Sequence, residues 1–236
     1  RKQPGDVILA FKMFCDTLPP EEAKKCTLML HTHPRDPNGT DLIAVKENIC
    51  PDYQVIFSIE RVPSKVLNFY YNNADVVLNI ASNEGFGLSS AEAIMSGTPI
   101  ISNVTGGLQD QLGFTFDDGT EYFPDEDLTT NHTGKLRNHG VWAYPIYPSN
   151  RSLQGALETP YIFDDRAKLE DIVEGLRYWF NRTRAERDKA GLIGRDWLIN
   201  TAGMESKTMS NKIAESIMIC LKTFTPKPRV EIKKIQ

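Results

Sequence analysis

Two glutamates eight positions apart, Glu84 and Glu92, bracket the stretch of this sequence best equipped for chemistry. Between them, Gly85, Phe86, Gly87 and Leu88 lead into a run whose apolar residues Leu88, Ala91 and Met95 have helical spacing. Just ahead, residues 76–80 are a short β-branched run that reads as a buried strand. The two glycines permit a tight turn and close approach of a ligand to the backbone. A strand, a glycine turn and a helix start make an anion site, because free first-turn amides and the helix dipole point at the turn. Neither carboxylate suits a phosphate, yet each suits neutral hydroxyls, and one carboxylate can accept both protons of a vicinal diol. A phosphate at the helix start with diols on either side describes a nucleotide-sugar: hexose, diphosphate, ribose. Spacing alone would suggest only a solvated helix face; the combination with the glycines, the helix and the Gly97-Thr98-Pro99 stop is what gives it meaning.

The elements that must hold these residues follow from periodicity and turn signals. Residues 6–16 read as an amphipathic helix with Val7, Ala10, Phe11 and Phe14 on one side, 27–31 as a strand and 41–49 as a short helix. The intervening His31-Thr32-His33-Pro34-Arg35-Asp36 could offer metal ligands, but no further ligand cluster has metal spacing, and a loop at a strand's end is the simpler reading. Residues 54–58 read as a strand and 64–73 as a helix carrying Val66, Leu67, Tyr70 and Tyr71. Beyond the helix at 88–96, a strand at 100–104 ends in Thr105-Gly106-Gly107-Leu108-Gln109-Asp110. Residues 114–165 are the least regular, with an acidic Pro124-Asp125-Glu126-Asp127 run, and the aromatics and prolines of 141–147 suggest a short hairpin. A last strand at 161–163 precedes helices at 165–182, 184–200 and 204–224. The stripes Ile172, Leu176, Trp179 and Ile213, Ile217, Leu221 read as core faces. Residues 225–229 are linker-like, and 230–235 read as a terminal edge strand or frayed tail. Alternating strands and helices argue an α/β, doubly wound parallel sheet with its ligand outside the carboxyl ends of the strands.

The run from Glu84 through Gly85, Phe86, Gly87, Leu88, Ser89, Ser90 and Ala91 to Glu92, followed by Gly97-Thr98-Pro99, closely resembles the E-x7-E signature of retaining glycosyltransferases of family 4, which have the GT-B fold. The resemblance covers roughly residues 1–110 and, more weakly, the C-terminal helices. It implies a Rossmann-like donor-binding half with a C-terminal helical extension: 1–165 the donor domain, 166–224 helices packed on it, 225–236 a tail or edge strand. It also implies that Glu84 is the catalytic-site residue contacting the donor sugar, that the amides of Gly85, Phe86, Gly87 and Leu88 hold sugar and diphosphate, and that Glu92 binds the ribose. Arg1-Lys2 resembles the family's R-K-G turn, which makes Lys2 the cation for the diphosphate. The loop after the strand at 54–58 meets the base in such enzymes, which points to Arg61 and Val62, although the family's usual Gly is missing there. Gly106 and Gly107 resemble a G-G-x-x-E loop, with Asp110 in place of Glu, whose amides approach the donor sugar. The family's first strand, with an Arg on it, does not occur in these residues. The resemblance further implies a UDP-, GDP- or ADP-sugar donor, no obligatory metal or other cofactor, and an acceptor domain upstream of residue 1, so that the isolated chain is expected to be inactive.

With 236 residues, ordinary hydrophobic content and a net charge of −4, the chain has room for one large domain and shows no general attraction to nucleic acid or membrane. No apolar run approaches membrane-spanning length. Cys15, Cys26, Cys50 and Cys220 lack paired spacing and read as buried free thiols. Five N-x-S/T triplets, at Asn38, Asn103, Asn131, Asn150 and Asn181, carry no weight without a secretory signal, and a cytoplasmic location is expected. Two other classes stay open. A non-catalytic nucleotide-sugar-binding module would use the same carboxylates without an acceptor half. A nicotinamide oxidoreductase ranks last, since G-x-G-x-x-G after a first strand is missing.

Overall fold

The computed structural model describes residues 1–37, 39–123 and 130–227. The triplet at Asn38, the acidic run Pro124-Asp125-Glu126-Asp127 and the tail at 230–235 lie outside the described residues. In chain order the elements are α1 (Pro4–Asp16), α2 (Pro20–Ala23), β1 (Thr27–His31), α3 (Leu42–Ile49), β2 (Gln54–Ser58), α4 (Ser64–Asn73), β3 (Val77–Asn79), α5 (Leu88–Met95) and β4 (Ile100–Asn103). A 3-10 helix (Gly106–Gln111) follows, then β5 (Ala143–Ile146), β6 (Asn150–Gln154), β7 (Ile162–Arg166), α6 (Leu169–Phe180), α7 (Arg184–Asn200) and α8 (Ser206–Thr223). Every strand from β1 to β5 pairs in parallel, the α/β arrangement expected from the alternation.

The sheet β3-β4-β5 is covered on both faces. Because successive strand residues point to opposite sides, Ile101 joins Val7 and Ala10 of α1 and Ile172 and Trp179 of α6, while Ile100 joins Ala93 and Ile94 of α5 and Trp197 and Leu198 of α7. The pair β1-β2 is a separate sheet among the described residues. Leu28, Leu30, Val55 and Phe57 pack on Phe11, Phe14 and Leu42 from α1 and α3, whereas Met29 and Ile56 on the other face are exposed.

Three expectations need correction. Residues 141–147 do not form a hairpin: β5 is a parallel edge strand, with Ile100 N–H donating to Trp142 O at 2.8 Å and Val104 N–H to Ile146 O at 2.8 Å. An edge strand tolerates Pro145, whose missing N–H can fall on the unpaired side. The antiparallel hairpin is instead β6-β7. The stripe of α8 is not a core face, since Ile213, Ile217 and Leu221 are all more than half exposed and the helix has no buried residue. Cys220, on α8, is consequently exposed, and Cys26, between α2 and β1, is only half-buried; all four cysteines are free.

The irregular stretch carries much of the core. Phe114, Tyr122 and Trp142 are buried in the cluster under α5 and α7. Asn131 is fully buried, its amide oxygen accepting from Leu136 N–H at 2.9 Å and its own N–H donating to Gln109 Oε1 at 2.8 Å.

Candidate functional site

β3 ends against the first turn of α5, and one side chain joins them: Asn79 donates from Nδ2 to Ser90 Oγ at 2.9 Å and accepts from Ala81 N–H at 3.2 Å. The intervening turn is braced from behind by the loop after β4. Gly107 N–H donates to Glu84 O at 3.0 Å, and Gln111 Nε2 donates to Phe86 O at 2.5 Å. The glycines make this contact possible, because a Cβ on Gly106 would lie 2.2 Å from Glu84 O, and one on Gly107 would lie 2.2 Å from Gly85 O. The Gly107 amide thereby donates to Glu84 O in this conformation. Gly106 and Gly107 set the shape of the turn.

Gly87 occupies the N-cap of α5 at φ 90°, a left-handed conformation that favours glycine, and its missing Cβ makes room for Leu108. No side chain caps the helix. Its leading amides and the positive end of its dipole therefore point into the turn, the arrangement that suits an anion. Gly85, Phe86 and Leu88 are exposed there, and Gly87 is buried.

The two carboxylates are held differently. Glu84 retains only 12% side-chain exposure and is paired with Arg1 at 3.3 Å and with Lys2. Burial pushes its pKa up, but the Lys2 hydrogen bond and the charges of Lys2 and Arg1 outweigh it and hold the carboxyl below the usual range. Glu92, on the second turn of α5, is exposed and accepts from the Tyr71 hydroxyl at 2.8 Å. Burial, and then the Glu92 carboxylate, push the Tyr71 phenol pKa up, so Tyr71 remains a donor at neutral pH.

The cationic arm is itself anchored. Ser82 N–H donates to Arg1 O at 3.0 Å, and Gln3, at φ 55°, accepts from Arg166 at 2.7 Å. Arg166 also pairs with Asp164. Next to it the buried Asp165 accepts from Thr105 Oγ1 at 2.8 Å and from Arg151 at 2.7 and 3.1 Å, so β7 fixes both the arm and the start of the Gly106 loop. Lys2, Glu84, Gly85, Phe86, Gly87, Leu88, Gly106 and Gly107 thus meet at one place, with Glu92 one helical turn on. Arg61 and Val62 stand apart at the carboxyl end of β2, Arg61 exposed and Val62 half-buried. His31 and His33 turn to different partners, Ser58 Oγ at 3.0 Å and Arg35 O at 2.8 Å, and no group of three metal-ligating side chains occurs among the described residues. Tyr71, Gln111 and Asp165 belong to the site or its supports and are not marked as such in the sequence.

An apolar cleft of about 540 Å³ opens beyond the turn between Phe86, Met204 and the Met209, Ile213, Ile217 and Cys220 side of α8. Its lining is mostly apolar, with Lys212 and Ser216 the polar side chains.

Residues 52–120 match the family model of glycosyl transferases group 1. The match spans the Glu84–Glu92 segment, its strands β3 and β4 and the Gly106 loop. A 75-residue part of the chain is 32% identical to trehalose synthase from Pyrococcus horikoshii, covering 30% of this chain and 18% of that protein. Among solved structures, α,α-trehalose 6-phosphate synthase from Burkholderia multivorans is similar at TM-score 0.60 with 11% identity, over 94% of this chain and 41% of that one. Sucrose-phosphate synthase from Thermosynechococcus elongatus is similar at TM-score 0.55 with 17% identity, over 94% of this chain and 43% of that one. The chain therefore has the α/β fold found in part of these GT-B glycosyltransferases and spans less than half of their length. The family match covers less than half of the chain. Among the described residues no helix is long and apolar enough to cross a membrane.

Proposed function

We propose that this chain is the donor-binding half of a retaining, family 4-type glycosyltransferase that takes a sugar from a UDP-, GDP- or ADP-sugar, with no obligatory metal or other cofactor. The observation that carries the reading is the uncapped start of α5 at Gly87, set between a buried carboxylate with two cations and an exposed carboxylate with a phenol donor. In this reading the diphosphate lies on the amides of Gly85, Phe86, Gly87 and Leu88, where dipole and free N–H groups offset its charge. Lys2 and Arg1 divide their attraction between Glu84 and the diphosphate. Glu84 faces the hydroxyls of the donor sugar, Glu92 accepts from the ribose, and Arg61 and Val62 meet the base. Transfer then depends on placing the donor and stabilising the departing diphosphate.

A polypeptide segment preceding residue 1, leading to an acceptor domain, completes the proposal. Leu28 and Leu30 of β1 share one cluster with Val76 and Leu78 beside and within β3, yet β1 and β3 belong to separate sheets among the described residues. The Arg1 carbonyl accepts from Ser82 N–H just beyond β3. A strand entering through Arg1, parallel to both neighbours and followed by α1 as its crossover, would join the two sheets into one. The test is sugar transfer by this chain beside a longer form carrying the upstream segment, with a broad acceptor mixture. The reading requires transfer by the longer form and a negligible rate from residues 1–236; robust multiple turnover by residues 1–236 alone contradicts it.

A further inference from the structure

We propose that Tyr71 is the positioning residue for Glu92, holding that carboxylate ready for the ribose hydroxyls of a nucleotide; this rests on the role given to Glu92 above. Helix α4 has no fully buried residue, and polar contacts add to its packing beside α5. Polar contacts tie it there. The Tyr71 hydroxyl donates to Glu92 Oε2 at 2.8 Å, Thr98 Oγ1 donates to the Tyr71 carbonyl at 2.7 Å, and Ser96 Oγ donates to Asn68 Oδ1 at 3.1 Å. The Tyr71 ring, half-buried, packs on the cluster that holds Ile94 and Trp142. Its hydroxyl is therefore a fixed donor on a clamped backbone, whereas Glu92 is an exposed side chain that would otherwise sample several rotamers.

A phenol is well chosen for this task. It gives Glu92 one hydrogen bond without the competing positive charge that Arg1 and Lys2 bring to Glu84. A carboxylate has about four lone-pair sites, so one donor leaves Oε1 and part of Oε2 open to a diol. The burial that pushes the phenol pKa up keeps its proton in place at neutral pH. A rigid acceptor loses less freedom when the ribose arrives, which favours binding.

Tyr71→Phe keeps the ring and removes the donor. Affinities are measured by calorimetry for the tightest of uridine, guanosine and adenosine diphosphate and for its 2′,3′-dideoxy counterpart, with wild type, Tyr71→Phe, Glu92→Gln and the double variant. The expected result is a loss of about threefold to tenfold for the ribonucleotide in Tyr71→Phe, no change for the dideoxynucleotide, and no additional loss once Glu92 is replaced. Equal weakening of both ligands by Tyr71→Phe, no weakening, or full additivity with Glu92→Gln overturns the inference. Should Tyr71→Phe fail to fold, the wild-type chain labelled with ζ-13C tyrosine serves instead. The Tyr71 signal, which reports the phenol hydrogen bond, must shift with the ribonucleotide and not with the dideoxynucleotide; equal responses overturn the proposal. A wild type that shows no ribose preference removes the Glu92 role and this inference together. A ribose-selective wild type with an indifferent Tyr71→Phe removes this inference alone.

Discussion

At the turn, Glu84 is nearly buried and met by two cations from the chain's first residues; on the helix, Glu92 is exposed and met by one neutral phenol. Both are glutamates beside one helix start, yet their surroundings differ in charge and burial. Beside the turn two cations meet one carboxylate, a net positive charge, and in the proposed reading Arg1 and Lys2 are shared between Glu84 and the diphosphate. Beside Glu92 the hydrogen bond comes from a neutral donor, and it leaves Oε1 and part of Oε2 unoccupied. The supports differ as well. The turn rests on backbone contacts with the Gly106 loop, and the helix face rests on side-chain bonds from α4. Residue type thus states what a position could do, and the donors around it decide what it does.

The largest expected effect comes from breaking the turn while sparing the helix face. Gly107→Ala places a Cβ 2.2 Å from Gly85 O, an overlap with backbone that should lower stability by about 1–3 kcal/mol. Nucleotide binding should fall with it even at temperatures where the variant is folded; urea unfolding and calorimetry read the two losses. A variant of wild-type affinity would show that the loop contact does not shape the site.

Next in size is the exchange of the carboxylates. Glu92→Gln should weaken a nucleoside diphosphate and its sugar-bearing form about equally, since both contain the ribose, by about 1.5–3 kcal/mol for one charge-assisted hydrogen bond. Glu84→Gln should weaken only the sugar-bearing form. Identical losses for both variants on both ligands would erase the distinction between the two ends.

The smallest effect is a pH dependence confined to the turn. Glu84 has a lowered pKa in the folded chain, so its contribution is complete above its unfolded-state pKa and disappears as pH falls through the lowered folded value. The stability difference between wild type and Glu84→Gln should therefore shrink as thermal unfolding is followed from pH 7 into the acid range. Lys2→Ala should reduce that pH dependence, whereas Tyr71→Phe should leave it intact.

The sequence carried these elements unevenly. β1, β2 and α4 appear at their expected residues because short apolar runs and helical periodicity are local signals. β5 was obscured by Pro145 and its aromatics, which mark turns by composition but fit a parallel edge strand. The stripe on α8 reveals amphipathicity and cannot reveal what, if anything, covers it. At the site, the turn glycines, both glutamates and the helix start were legible together, since they are contiguous. Gln111 was not, because it reaches Phe86 across a long stretch of chain. Tyr71 likewise reads as one more apolar position on a helix until its hydroxyl is seen on Glu92. The pair Gly106-Gly107 reads in the sequence as a loop whose amides approach the donor sugar, and the fold adds that both glycines lie against the Glu84–Gly85 backbone.

The central claim is that the start of α5 holds the diphosphate of a nucleotide-sugar, and a thermal-shift panel tests it most directly. Uridine, guanosine and adenosine diphosphates and their glucose and mannose conjugates are each added to the chain at millimolar concentration. At a hundredfold excess over its dissociation constant, a bound ligand should stabilise the fold by about 2.7 kcal/mol, and the shift should be lost when Gly87→Val blocks the turn. If no nucleotide or nucleotide-sugar moves the melting temperature, α5 does not hold a diphosphate and the account of this site is contradicted.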